Sequence, residues 1–268
     1  MSKHPRLWGK GLALGCGVLV LIPLVLAFVI AGRTCAPLGA AREAQTQLEE
    51  RYGLPGSFTP VADGSLSTER IRVFLQVRHG LAETCQQFES IMGSIKTLEK
   101  LDGQNPSAEE IAAATGGLAQ TAMGITPLLG KFFEARNRTL LDHGMGLGEY
   151  SYLFAVAYRQ QLLDPLHLSS VFAEDRPLAP DATSTLLQIL ENQAREYHEI
   201  HQDRSLFDEE IAAMQDDPDR LLWQEGQPAP LAESLAPHRS ELNAAFCGAT
   251  AALDTNLSSI RAIVIALE

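Results

Sequence analysis

Two charged residues sit where the chain pattern demands apolar ones, and they pose the first chemical question. Arg78 interrupts an apolar stripe between Phe74 and Leu81, and Glu149 opens the most apolar stretch outside the N-terminal region, Glu149 to Leu163 (EYSYLFAVAYRQQLL). A guanidinium or carboxylate inside a core is costly unless it is paired and hydrogen-bonded. The pattern therefore predicts that Arg78 and Glu149 meet each other or equivalent partners. Tyr150, Tyr152 and Tyr158, three of the five tyrosines, are placed to join this network or to line a pocket with their hydroxyls. The arrangement suits a structural ion pair, or the charged anchor of a small-ligand cleft near Glu149.

Other candidate chemistry is thinner. His198 and His201 stand three apart on a predicted helix and share a face, but position 202 is Gln, so H-E-x-x-H fails. No Glu precedes any histidine by three residues either, which removes the di-iron pattern. Gly144, Gly146 and Gly148 come after a predicted helix where a phosphate-cradling loop would come after a strand, and they lack the spacing and the Lys-Ser/Thr of such loops. They are expected to end one helix and let the next pack closely. There is no G-x-S-x-G elbow and no C-x-x-C. The sequence thus predicts no catalytic residue, no metal site and no cofactor, and a protein that is not an enzyme.

Three cysteines lie outside the apolar N-terminal run: Cys35, Cys85 and Cys247. Cys85 falls on an inward stripe and Cys247 beside Phe246, which fits either a bridge from the last helix to the first long one or two buried thiols. Cys35 is then the odd thiol, placed to bridge two copies. The sequons at Asn137 and Asn256 both fall on predicted helices, a poor context for glycosylation.

The elements that must carry these residues read as helices throughout. Residues 40–52 have helical composition, and Gly53 to Leu66 is a turn-rich loop. From Ser67 to about Leu101, apolar residues recur at helical spacing as one long amphipathic helix. Ser107 with Glu110 makes a capping box, and Thr126-Pro127 starts a helix that runs to about Asp142. Tyr150 to Tyr158 is apolar on nearly all faces and is expected at the centre of the bundle. Ala182 to Met214 and Leu231 to Ile263 read as two further helices. The fold class expected is all-α, with strand alternation only in the short tail from Ile263 to Leu267.

Residues 11–32 (GLALGCGVLVLIPLVLAFVIAG) form an uncharged run of 22 residues between Lys10 and Arg33. A helix of that length spans about 33 Å, enough for a hydrocarbon core of about 30 Å. The run exceeds a signal-peptide apolar region and lacks a small-x-small exit. Cys16 is too close to Lys10 for a lipoprotein signal. These features predict an uncleaved, single-pass signal-anchor, with Pro23 as a tolerated kink. Lys3, Arg6 and Lys10 precede the run, so the positive-inside rule leaves residues 1–10 cytoplasmic. Residues 33–66 then form a juxtamembrane helix and loop, and 67–268 an extracytoplasmic helical bundle, in the periplasm or at the cell exterior.

Charge narrows the partners. The chain has 21 Lys and Arg against 33 Asp and Glu, and all the acids lie beyond Arg33. An acidic outer part does not suit nucleic acid, whose binding depends on clustered cations. The reading favoured by the residues is an interaction or scaffold module of the cell envelope, bound to the membrane through 11–32 and working with a protein partner or a second copy. The alternative is the small-ligand binder, which would act through a partner protein.

Overall fold

The computed structural model describes residues 38–102, 127–163, 180–201, 205–217 and 219–256. The run 11–32, Cys35, the helix expected from Ser107 and the tail 263–267 lie outside them. Every regular element among the described residues is helical, and none of these helices is long and apolar enough to cross a membrane.

Helix α1 covers residues 38–52 and α2 Thr68–Gly80, joined by a loop that holds a single 3-10 turn at Pro55–Ser57. Ser67 caps α2 by accepting from the Arg70 amide, leaving the stripe Ile71, Phe74, Leu75, Arg78 to face inward. α3 is Ala82–Asp102. The long helix expected from Ser67 is therefore two. Gly80 ends the first, where the Thr139 side chain packs so close that a Cβ would sit 3.1 Å from it, and Leu81 turns the chain into the second.

α4 covers 127–143, and Gly144 ends it at φ +68°, a left-handed conformation that glycine adopts without strain. α5, Leu147–Ala157, is buried on all sides except at Glu149. It is the centre expected from its composition. Tyr158 breaks it before α6, Arg159–Leu163, and its last carbonyls find distant donors: Gln227 on Val156 O and Arg239 on Ala157 O.

α7, Pro180–Ile200, and α8, Ser205–Asp216, replace the single helix expected from Ala182 to Met214. Ile200, the last residue of α7, is 68% exposed. The last expected helix is likewise divided. Pro237 and Gly248 break it into α9 (Ala229–Leu235), α10 (Arg239–Ala244) and α11 (Ala251–Asp254), linked by 3-10 turns.

Two apolar clusters hold these elements. The larger wraps α5 with residues of α1, α2, α7, α8, α9 and α10. The smaller joins Leu38 and Ala41 of α1, Leu81 and Phe88, Phe132 and Phe133 of α4, and Cys247 and Leu253. The loop after α1 is also built in: Asn192 donates to Gly56 O and Phe58 O, and Gln193 to Val61 O. Residues 38–66 are thus part of the bundle.

Candidate functional site

The polar centre forms where α2, α5 and α11 converge. The inward stripe of α2 carries Arg78 into the core in its last turn. α5 offers Tyr150 and Phe154, with Tyr158 just past its end at the same spacing, and the Arg78 guanidinium lies 5.2 Å and 5.7 Å from the Phe154 and Tyr158 ring centres. α11 supplies Asp254, which has no exposed surface. One Asp254 oxygen accepts from Arg78 Nη1 and from the Tyr150 hydroxyl, both at 2.6 Å, and the other from Thr250 Oγ1 at 2.8 Å. Arg78 Nη1 also donates to the Tyr150 hydroxyl at 2.9 Å. Burial works against the Arg78 charge, yet the Asp254 carboxylate and the phenols around it hold its pKa well above the ordinary value.

A second buried guanidinium adjoins the first. Arg136 of α4 donates from Nη1 to the carbonyls of Leu253, Asp254 and Asn256 at 3.0 to 3.3 Å. It lies against the Phe133 and Phe132 rings. Burial lowers its pKa, but a guanidinium keeps its proton inside proteins. The three carbonyls belong to the end of α11, where partial negative charge gathers. Arg136 Nε donates to Asn137 Oδ1, and Asn137 Nδ2 donates to Ala41 O. The Asn137 amide is thus committed inside the core.

Arg78 and Glu149 do not pair. Glu149 accepts a bidentate contact from Arg70, Nε to one oxygen and Nη2 to the other. Arg70 Nη2 also reaches Gly144 O at 3.2 Å. The reason is geometric: Glu149 is the one residue of α5 turned outward, and Arg70 precedes Arg78 by eight residues, about 12 Å along α2. Hydrogen bonding to Glu149 raises the Arg70 pKa.

Among the described residues these three tyrosines are enclosed and line neither the cavity beside Glu149 nor the groove between α3 and α4. Tyr150, Tyr152 and Tyr158 are buried to 0% exposure, and burial pushes all three phenols up, that of Tyr158 to about 12. The cavity beside Glu149 is lined by Tyr52, Phe58 and Gly146 to Gly148, among others, and measures about 90 Å³. That is room for a few waters, well below the roughly 300 Å³ of a small ligand pocket. Gly146 and Gly148 are there to let the loop approach: a Cβ on Gly148 would fall 2.0 Å from Pro55 O, and one on Gly146 2.9 Å from Tyr52 Cβ. A shallower groove of about 630 Å³ runs between α3 and α4, past Glu83, Gln87 and Lys131.

His198 and His201 do not converge on a common ligand position. His198 Nε2 lies 3.8 Å from Asp208 Oδ1, while His201 stacks on Tyr197 with ring centres 4.4 Å apart. Cys85 and Cys247 are joined as a disulfide across 162 residues, tying α3 to the segment before α11. Glu89 places a carboxylate oxygen within 4.8 Å of both sulfurs.

Asp254, Arg136 and Arg70 are not singled out by the sequence pattern. Arg136 had a readable signal, since Leu129, Phe132, Phe133 and Leu140 surround it at helical spacing. Asp254 had little, because its stripe is cut into short turns. No protein-family model, curated protein or solved structure matches this chain.

Proposed function

We propose that this protein is a single-pass membrane protein whose helical bundle, held outside the cytoplasm by residues 11–32, serves as an interaction or scaffold module of the cell envelope. One observation carries the reading: the polar centre is spent on holding the bundle's own segments, while large apolar side chains stand exposed on the loop after α1 and at the end of α7. Leu54 and Val61, on the loop after α1, are 67% and 60% exposed, and Ile200 ends the adjoining α7. Exposed apolar side chains of this size are what a protein partner would cover. The strongly acidic outer part keeps nucleic acid from being the partner.

Site-specific photo-cross-linking in native membranes tests this. A photoreactive residue at Leu54, Val61 or Ile200 is expected to capture a protein partner or a second copy, with none captured at the exposed Glu83. Absence of protein adducts at all three positions, together with a reproducible thermal shift by a small metabolite, would favour the ligand-binding alternative.

A further inference from the structure

We propose that Cys85, Glu89 and Cys247 form a redox-gated site for a thiophilic divalent cation such as zinc, shut while the two sulfurs are bonded to each other and open once a dithiol has reduced them. The site stands independently of the scaffold reading. Cys85 and Glu89 are four residues apart on α3 and share one face of it. Cys247 reaches that face from the segment before α11. Both Sγ atoms and a Glu89 carboxylate oxygen lie within 4.8 Å of one another. A tetrahedral zinc, with Zn–S of about 2.3 Å and Zn–O of about 2.1 Å, holds its sulfurs about 3.8 Å apart and each about 3.6 Å from the oxygen. The exposed Glu89 side chain therefore has to close by little more than about 1 Å, and the freed sulfurs part by rotation about their own Cα–Cβ bonds.

Reduction leaves the parts in place, because the closing segment does not depend on the disulfide alone. Asp254 is paired with Arg78, and Arg136 donates to the carbonyls of Leu253, Asp254 and Asn256. Thr250 donates to Cys247 O from both its amide and its hydroxyl. Cys247, 2% exposed, is thus held opposite α3 over a floor of Leu81, Phe88 and Phe132. Half-buried Cys85 and exposed Glu89 stand at the outer edge, where a reductant and a cation can reach them. One thiolate of the dithiol attacks Cys85 Sγ, and Cys247 leaves as a thiolate. The second thiol of the reductant then breaks the mixed disulfide, so that two electrons pass to the cysteines and the reductant ends as its own disulfide. The cation binds both sulfurs as thiolates, and the protons they carry go to solvent. Two thiolates and one carboxylate fill three tetrahedral positions and leave the fourth for water.

The test titrates Co²⁺ into the full chain in detergent micelles, with Cys16→Ser and Cys35→Ser removing the other two thiols. The phosphine-reduced chain is expected to develop a thiolate-to-cobalt charge-transfer band that saturates at one ion per chain, and the disulfide form to develop none. Groups that only support metal ligands are worth about 10-fold in affinity or more, so Glu89→Gln is expected to weaken binding by at least about 10-fold. Absence of the band in a reduced chain that keeps its helical circular dichroism overturns the site, as does an equal band in the disulfide form. An unchanged affinity in Glu89→Gln overturns it too. Where reduction lowers the helical signal, Co²⁺ is expected to restore it in the chain with Glu89 and not in Glu89→Gln, and failure to restore it counts against the site.

Discussion

Arg78 and Asp254, 176 residues apart in sequence, form a fully buried ion pair with Nη1 and Oδ1 at 2.6 Å. The pair joins the last turn of α2 to the last described helical turn of the chain, with the Tyr150 hydroxyl bonded to both. Removing one member strands the other in the core. Arg78→Ala and Asp254→Ala are each expected to destabilise the bundle by about 3 to 5 kcal/mol in urea unfolding. The double variant Arg78→Met, Asp254→Leu should recover much of that loss, because it leaves no unpaired charge.

The Arg70–Glu149 pair is expected to behave differently. It is partly open to solvent, with 32% and 16% of the two side chains exposed, so screening reduces its worth. Glu149→Gln should cost about 1 kcal/mol or less. A loss equal to that of Arg78→Ala, measured in the same unfolding assay, would contradict the placement of Glu149 at the rim of the core.

The glycines before α5 should separate by cause. Gly148→Ala drives a Cβ into the Pro55 carbonyl, and backbone cannot move aside as a flexible side chain can. A loss of about 1 to 3 kcal/mol is expected. At Gly144 only the left-handed φ opposes substitution, since the nearest atom to a Cβ is the Tyr52 hydroxyl at 3.7 Å. Gly144→Ala should cost about 1 kcal/mol. Thermal melting of the two variants orders them.

Alkaline pH tests the buried phenols. Burial raises Tyr150, Tyr152 and Tyr158 above the ordinary tyrosine range. A folded pKa above the unfolded one contributes stability that is complete below about pH 10 and lost as pH rises through the folded value. Stability should hold up to about pH 10 and fall from there toward pH 12. Tyrosinate absorbance for these three should appear only together with the loss of helical circular dichroism. Their ionisation in a still-folded chain would show that solvent reaches them.

Helix identity was legible in the sequence because periodicity and composition act locally. The helical character of the described residues and the buried α5 came from residues a few positions apart. Helix length was less legible. The stripes on either side of Gly80, of residues 201–204 and of Gly248 run nearly in phase, so periodicity alone joins helices that a tertiary neighbour such as Thr139 keeps apart. The site divided in the same way. That Arg78 needed a buried partner was readable from its stripe. That the partner was Asp254 was not, because a contact across 176 residues leaves no trace in local spacing. Cys85 and Cys247 were drawn together only by their apolar surroundings, and Glu149 was misassigned because a one-residue step on a helix turns a side chain by about 100°.

The most direct check of the central claim is protease accessibility in carbonate-washed, right-side-out membrane vesicles carrying the full chain. The account predicts that the chain stays with the membrane and that protease added outside reaches the bundle. Chain recovered in the carbonate wash, or a bundle protected until the vesicles are opened, would contradict an outer module anchored by residues 11–32.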